Sequence, residues 1–331
     1  QKLAYTPPIL GADGTPAPGS IATLEQVRLG GSEQWITVRG KDIHNPVLLY
    51  LPGGPGGSEL PKTRVHLQGL EDHFVVVNWD QPGTGKSYDA LPIASITPER
   101  YIADGHELVL KLRQRFNQEK IYVFGDSWGS VVGIQLVQRY PELFHAYAGT
   151  GQMVAFTEND RMCYELALSL ARERRDTAKI EQLTRQGPPP YYGKGMVWKM
   201  SAVLMYLNDL MPGRGGDLLM DTLRAPEYGV YDKVNAFRGP VYTLDAVYPH
   251  LWEVDFRTQA RELAVPVYIF HGRKEANAMP ALVEEYYRVL DAPHKELIWL
   301  EDSGHDALYM EPAKIEDLLV NRVLAQTDPR R

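Results

Sequence analysis

Short runs of apolar residues alternate with longer amphipathic stretches along most of the 331-residue chain. The runs PVLLYLP (46–52), FVVVNWD (74–80) and VPVYIFHGR (265–273) are bounded by turn residues, which is typical of strands buried on both faces of a mostly parallel sheet. The stretch ITPERYIADGHELVLKLRQRF has helical spacing, and TPE at 97–99 is a helix-start signal. Strands that alternate with helices predict an α/β fold, with a mostly parallel central sheet flanked by helices.

Weaker patterns fill in the remaining elements. Two alternating runs on either side of Gly30-Gly31 predict an N-terminal β-hairpin. The segment IYVFGD predicts a strand that leads into a helix from Ser127 to about Arg139, and FHAYAGTGQ (144–152) predicts another strand. A helix over ALVEEYYRVLDA and a last strand in KELIWLEDSGH (295–305) complete the predicted series.

The strand pattern disappears between about Ala155 and Arg261 and then returns. Amphipathic patterns in ENDRMCYELALSLARERRD and MVWKMSAVLMYL predict helices there, and the proline-rich stretch at 187–195 belongs to no regular element. We therefore expect an α/β core at 1–154 and 262–331, with an inserted helical cap domain at 155–261. The insertion falls between two strands, so it is expected over their C-terminal ends, where an open α/β sheet places its ligand site.

Composition narrows the function classes. Hydrophobic residues make up 44% and charged residues 23% of the chain, as in an ordinary globular protein. The net charge of −7, without a long basic run, argues against nucleic acid as a partner. Cys163 is the single cysteine, so neither an intramolecular disulfide nor a thiolate metal cage is expected. No stretch of 18 apolar residues predicts a membrane span, and we expect a cytoplasmic protein, while the start at Gln1 leaves open a removed targeting segment.

The segment GDSWG carries the most specific chemical pattern. Gly125, Ser127 and Gly129 form G-x-S-x-G at a predicted strand-to-helix turn, where glycines allow backbone segments to approach closely. Such a turn exposes the serine at the top of the sheet as a nucleophile. An ordinary turn with a serine N-cap is the alternative.

A serine nucleophile needs a base, and the base needs an acid that orients it. His305 lies just after the last predicted strand, in a loop with Ser303 and Gly304, and is the candidate base. Glu275 follows the preceding strand and is the candidate acid, with Asp302 and Asp306 as alternatives. The three groups then occur in the order nucleophile, acid, histidine.

Acyl transfer also requires donors for the oxyanion. The backbone N–H of Trp128 follows directly from the predicted turn. The loop LPGGPGGSE (51–59) follows an earlier strand and is rich in glycine, and the N–H of Gly54 is the candidate second donor. A tight loop without a functional role is the alternative.

Four separated motifs resemble those of the alpha/beta hydrolase family of proline iminopeptidases. They are GGPGG at 53–57, WDQPGTGKS at 79–87, GDSWGS at 125–130 and SGH at 303–305. The resemblance covers nearly the whole chain. It implies an alpha/beta-hydrolase fold, a Ser127–Glu275–His305 triad, an oxyanion hole from Gly54 and Trp128, and no metal or cofactor.

Three positions depart from the family pattern. Pro52 stands where the family usually has histidine, Pro82 where it has arginine, and Glu275 where the triad acid is usually aspartate. The family's peptidases hold the substrate's free amine with glutamates of the cap. By this resemblance Glu158 and Glu165, at the start of the first cap helix, are candidate amine ligands, with ordinary helix-start charge as the alternative.

The resulting prediction is a serine hydrolase that cleaves an amide or ester bond through an acyl-enzyme. Proline iminopeptidase-like aminopeptidase activity on a short peptide or small molecule is the leading expectation. A carboxylesterase or lactonase acting on a small metabolite, and a non-catalytic binding member of the fold, are the alternatives. The sequence predicts neither the natural substrate nor the oligomeric state.

Overall fold

The structure is a computed structural model that describes residues 4–193, 195–210 and 218–330. The apolar runs form one sheet of eight strands: β1 (Ile21–Leu29), β2 (Ser32–Gly40), β3 (Val47–Leu51), β4 (Val75–Asp80), β5 (Ile121–Asp126), β6 (Phe144–Thr150), β7 (Val267–Gly272) and β8 (Lys295–Leu300). Their spatial order is β1-β2-β4-β3-β5-β6-β7-β8. β2 pairs antiparallel with β1 and β4, whereas the other neighbouring pairs are parallel. The predicted hairpin and the mostly parallel sheet are confirmed.

Helices cover the sheet and make up most of the described part of the segment between β6 and β7. The helix α2 begins as predicted, because Thr97 Oγ1 accepts a hydrogen bond from the N–H of Arg100 and Pro98 is the first helical residue. The helices are α1 (Lys62–His66), α2 (Pro98–Phe116), α3 (Trp128–Arg139), α4 (Phe156–Glu173), α5 (Thr177–Gln186), α6 (Met196–Leu210), α7 (Leu218–Arg224), α8 (Val230–Arg238), α9 (Leu244–Val247), α10 (Phe256–Gln259), α11 (Pro280–Val289), α12 (Ala307–Met310), α13 (Pro312–Leu318) and α14 (Ala325–Thr327).

Successive side chains of each central strand point to opposite faces of the sheet. In β3, Leu49 and Leu51 pack into the apolar cluster that includes α2, α3 and α11. Leu48 and Tyr50 belong to the opposite cluster, which residues 67–74 and the C-terminal helices cover. Burial on both faces explains why the strands read as continuous apolar runs.

The strand order reverses direction at β3, which has β4 on one side and β5 on the other. Leu51 and Gly125, near the C-terminal ends of β3 and β5, are direct partners in the sheet register. The glycine-rich loop after β3 and Ser127 after β5 therefore lie side by side. This reversal is where an open α/β sheet provides its ligand crevice.

Residues 151–266, the β6–β7 insertion, lead from β6 through α4–α10 to β7. A short antiparallel bridge between Ala155 and Asp255 joins the two ends of this segment. The proline-rich stretch at 187–195, of which Lys194 lies outside the described residues, connects α5 to α6. Within the described parts of the chain, no helix is both long and apolar enough to cross a membrane.

Candidate active site

Ser127 stands at the turn between β5 and α3 with φ 52° and ψ −113°, a backbone conformation that residues with side chains rarely adopt. A Cβ on Gly125 would lie 2.5 Å from the carbonyl oxygen of Gly129. One on Gly129 would lie 2.0 Å from the carbonyl oxygen of Leu51. Only glycine fits at either position, which confirms the expected reason for the G-x-S-x-G spacing. The turn presents the Ser127 side chain at the C-terminal edge of the sheet.

The imidazole of His305 bridges Ser127 and Glu275. Its Nε2 lies 3.0 Å from Ser127 Oγ, and its Nδ1 lies 2.8 Å from Glu275 Oε2. The three side chains follow β5, β7 and β8, whose C-terminal ends share one edge of the sheet. When Nδ1–H donates to the carboxylate, Nε2 is left to accept the hydroxyl proton of Ser127.

Glu275 is 4% exposed and is held from both sides of its carboxylate. Its Oε1 accepts hydrogen bonds from the N–H groups of Ala276 at 2.8 Å and Asn277 at 2.6 Å, while Oε2 faces His305. Burial works to raise the pKa of Glu275, but the neighbouring His305 and the backbone donor outweigh it and hold that pKa below its usual range. The carboxylate is therefore ionised at neutral pH.

The pairing with Glu275 also changes the pKa of His305. Burial works to lower the pKa of His305, but the adjacent Glu275 carboxylate reverses this and raises the pKa above the ordinary histidine value. Of the three acids offered by the sequence, Glu275 is the one hydrogen-bonded to the imidazole. Asp302 instead lies on the surface 3.4 Å from Lys274, and Asp306 borders the cavity at the start of α12.

Gly54 and Trp128, the residues expected to supply oxyanion donors, border the same cavity as Ser127. Gly54 has φ +142°, and a Cβ there would lie 2.6 Å from the nitrogen of Gly56, so this position also requires glycine. Trp128 is the first residue of α3, where a backbone N–H has no acceptor within the helix. Its indole Nε1 donates to Gln81 Oε1 at 3.0 Å, which anchors the ring.

A cavity of about 410 Å³ lies over Ser127, between the sheet edge and the β6–β7 insertion. This volume suits a small molecule or the end of a peptide. The insertion supplies most of its apolar wall: Met153, Phe156, Met200, Leu204, Leu244 and Tyr248. Within the described residues, no group of three or more His, Cys, Asp or Glu side chains is arranged to hold a metal ion.

A buried carboxylate that the sequence analysis missed, Asp160 of α4, also borders this cavity. Tyr248 donates its hydroxyl to Asp160 Oδ2 at 2.8 Å, and Asn159 Nδ2 donates to Oδ1 at 3.1 Å. Burial raises the pKa of Asp160 to about 6, so the group still carries charge at neutral pH. The spacing in the sequence could have indicated its burial, because a residue four positions after Phe156 lies on the same, buried face of an amphipathic helix.

Glu158 and Glu165, expected to contact a substrate amine, lie elsewhere. Glu158 is paired with Arg257 and its side chain is 49% exposed, and Glu165 is exposed to solvent. Neither residue is among the described residues that line the cavity, so the expectation is wrong. The reason is helix geometry: at about 100° per residue, the side chains of Glu158 and Glu165 point well away from Asp160, which does line it.

The WDQPGTGKS motif connects the sheet to the insertion. Asp80 accepts hydrogen bonds from the hydroxyl of Tyr228 at 2.9 Å and from the N–H of Lys86 at 2.8 Å. Lys86 Nζ lies 2.9 Å from Asp232 Oδ2 of α8. Burial raises the pKa of Asp80 to about 7. These buried contacts give the motif a structural role, to which Gln81 adds its support of Trp128.

Comparison with known proteins agrees with the fold. Residues 46–183 match the alpha/beta hydrolase fold family. The chain is 28% identical over 316 residues to the probable aminopeptidase YbaC of Bacillus subtilis strain 168, a match that covers 92% of this chain and 97% of that protein.

Two solved structures extend the similarity. The proline iminopeptidase-related protein of Thermus thermophilus superimposes with a TM-score of 0.66 at 21% identity, over 94% of this chain and 100% of that one. The proline iminopeptidase of Mycobacterium smegmatis gives a TM-score of 0.65 at 17% identity, over 92% and 99% of the two chains. At these identities the superpositions establish the fold.

Proposed function

Since the chain is an alpha/beta hydrolase related to the proline iminopeptidases, we propose that it cleaves its substrate with Ser127 as nucleophile, His305 as general base and Glu275 as orienting acid. The observation that carries this proposal is the continuous hydrogen-bonded chain from Ser127 Oγ to His305 at 3.0 Å and from His305 to Glu275 at 2.8 Å. These distances lie within the range required of a nucleophile and its base.

The reaction follows from the positions of the groups. Ser127 Oγ attacks the substrate carbonyl while His305 Nε2 takes the hydroxyl proton, and the charge of Glu275 stabilises the imidazolium that forms. The N–H groups of Gly54 and Trp128 bind the oxyanion of the tetrahedral intermediate. His305 then donates its proton to the leaving group. A water molecule, activated by the same imidazole, releases the acyl group from Ser127.

We infer that the substrate carries a free amine, as expected of an aminopeptidase. Support comes from Asp160, a buried carboxylate that faces a cavity with mostly apolar walls, because an ammonium group is the natural partner of such a charge. The name of the Bacillus subtilis relative points in the same direction. In this proposal residues 155–261 form a cap that closes the amine end of the cavity, and the apolar walls receive the N-terminal side chain.

The test is a substrate panel, run on the wild type and on Ser127→Ala. The panel contains alanine, leucine and proline nitroanilides, their N-acetyl forms, a short acyl nitrophenyl ester and a simple lactone. Release of nitroaniline from the free-amine compounds alone, lost in Ser127→Ala, would support the aminopeptidase. Turnover of the ester or lactone alone would replace it with an esterase or lactonase on the same residues. Activity that persists in Ser127→Ala would overturn the serine mechanism.

A further inference from the structure

A buried ammonium group that borders the cavity, that of Lys62, is not used by the proposed mechanism. Lys62 Nζ lies 2.9 Å from Glu59 Oε1, 2.7 Å from Asp126 Oδ2 and 5.4 Å from the centre of the Tyr309 ring. The hydroxyl of Tyr50 lies 2.7 Å from Glu59 Oε2 and 3.2 Å from Asp126 Oδ2. We call these five side chains the lysine junction.

Each partner of Lys62 belongs to a different part of the candidate site. Glu59 ends the glycine-rich loop, and its Oε2 also accepts the N–H of Gly53 at 3.2 Å. Asp126 directly precedes Ser127, and its Oδ2 contacts Lys62. Tyr309 lies in α12, four residues after His305. The junction therefore joins the oxyanion loop, the serine turn and the histidine loop.

The contact between loop and turn is close. A Cβ on Gly53 would lie 3.7 Å from the Cβ of Ser127, which is van der Waals contact. Gly54, the candidate oxyanion donor, is the next residue. Any displacement of this loop changes the distance between the Gly54 N–H and the oxyanion, and misplacement by about 1 Å is enough to lower a rate about 100-fold.

Packing alone does not explain the charges. Lys62 is 6% exposed, and Glu59 and Asp126 are each 5% exposed. Burying such groups carries a desolvation penalty, and well-packed apolar residues generally give equal or greater stability at such positions. The carboxylates of Glu59 and Asp126 would repel the oxyanion that forms nearby. The positive charge of Lys62 offsets much of this repulsion.

We propose that Lys62 is a positioning residue for hydrolysis: it holds the glycine-rich loop against the serine turn, so that the Gly54 and Trp128 N–H groups converge on the same substrate oxygen. The inference rests on the proposed serine mechanism and concerns the rate of the chemical step. Lys62 acts through Glu59 and Asp126, and its removal is expected to change kcat and to leave substrate affinity nearly unaltered.

The experiment compares Lys62→Met, Glu59→Gln and the double variant with the wild type. The matched control is Arg39→Met. Arg39 forms an equally buried ion pair with Glu71 at 2.6 Å, and neither residue borders the cavity in the described part of the chain. The readouts are kcat and KM on the best substrate of the panel, the rate of Ser127 labelling by a fluorophosphonate, and the folded fraction from thermal unfolding.

Loss of one oxyanion donor lowers kcat by about 10²–10³-fold, so displacement of the loop in Lys62→Met should lower kcat and the labelling rate at least about 10-fold. KM should stay within about threefold, and the double variant should lose no more than the worse single variant, since both break one contact. Arg39→Met should unfold at lower temperature yet keep its kcat per folded molecule.

A folded Lys62→Met with kcat within about twofold of wild type would overturn the inference, as would a rise in KM alone, which would assign Lys62 to substrate binding. If Lys62→Met does not fold, Glu59→Gln and Tyr50→Phe are judged by the same criterion. A wild type that neither turns over substrate nor is labelled would overturn the serine mechanism itself, a result distinct from losses confined to the variants.

Discussion

Glu275 reaches His305 with one carboxylate oxygen and its own loop with the other. Oε2 lies 2.8 Å from Nδ1 of His305, while Oε1 accepts the N–H groups of Ala276 and Asn277. The longer glutamate side chain thus fills the place of the usual aspartate because the following residues turn back to hold it. The acid is fixed in position as well as in charge.

Replacing Glu275 by glutamine tests the charge. In the proposed mechanism this charge selects the tautomer of the neutral imidazole and stabilises the imidazolium that forms. Glu275→Gln preserves the shape but removes the charge, so kcat should fall about 10³–10⁴-fold. Glu275→Asp keeps the charge but shortens the reach by one methylene, and should retain more activity than the glutamine variant. Steady-state kinetics on the best panel substrate measures both. Equal activities for Glu275→Gln and wild type would contradict the assigned role.

The pH dependence follows from the same pair. Because Glu275 raises the pKa of His305, kcat/KM should rise with pH through a midpoint above the ordinary histidine value of about 6.5. In Glu275→Gln the carboxylate is gone, and the midpoint should move to lower pH. A pH–rate profile of both proteins checks this, and an unchanged midpoint would contradict the pairing.

Stability should report the same interaction. Because the pKa of His305 is raised in the folded state, its protonation stabilises the fold fully below about pH 6.5. This stabilisation is lost as pH rises through the folded-state pKa. Because the pKa of Glu275 is lowered in the folded state, its ionisation stabilises the fold fully above about pH 4.3. This stabilisation is lost as pH falls through the folded-state pKa. The difference in free energy of unfolding between wild type and Glu275→Gln should therefore be largest between these limits. Urea denaturation at several pH values measures it.

Asp160→Asn tests the proposed amine contact. Asparagine keeps an acceptor for Tyr248 but removes the charge, so KM for free-amine nitroanilides should rise at least about 10-fold. Rates with the nitrophenyl ester should change little, since that substrate has no ammonium group. Glu158→Gln, on the same helix but outside the cavity lining, is the matched control and should leave KM unchanged. A uniform loss on both substrate types in Asp160→Asn would point to a packing role.

Lys86→Met tests how the motif at 79–87 supports the insertion. Lys86 and Asp232 are 0% and 1% exposed, so removing the ammonium leaves a buried carboxylate without its cation. The variant should lose about 3–5 kcal/mol of unfolding free energy. Lys111→Met is the control, because its partner Glu107 and Lys111 itself are 41% and 45% exposed, and it should lose less than about 0.5 kcal/mol. Similar losses in the two variants would contradict the structural role.

Local patterns explain what the sequence could predict. The buried strands, the start of α2 at Thr97 and the glycines around Ser127 follow from backbone and burial requirements that a few neighbouring residues express. Glu275 and His305 could be expected beside Ser127 because both follow parallel strands whose C-terminal ends share one sheet edge. These features need no knowledge of how the insertion packs.

Long-range packing explains what the sequence did not predict. Asp160 meets Tyr248 across 88 residues, and Lys62 meets Asp126 across 64. Glu158 was the more conspicuous acid in α4, yet Asp160 lies on the face of the helix that borders the cavity. Such outcomes depend on how α4 docks over the sheet, which no local pattern records.

The most direct test of Ser127 as the nucleophile is mass spectrometry of the protein after reaction with a fluorophosphonate. We expect one covalent adduct, located on Ser127 by peptide mapping. The adduct should be absent in Ser127→Ala and form much more slowly in Glu275→Gln. Labelling at another residue, or an unmodified Ser127 in the folded protein, would contradict the assignment of Ser127 as the nucleophile.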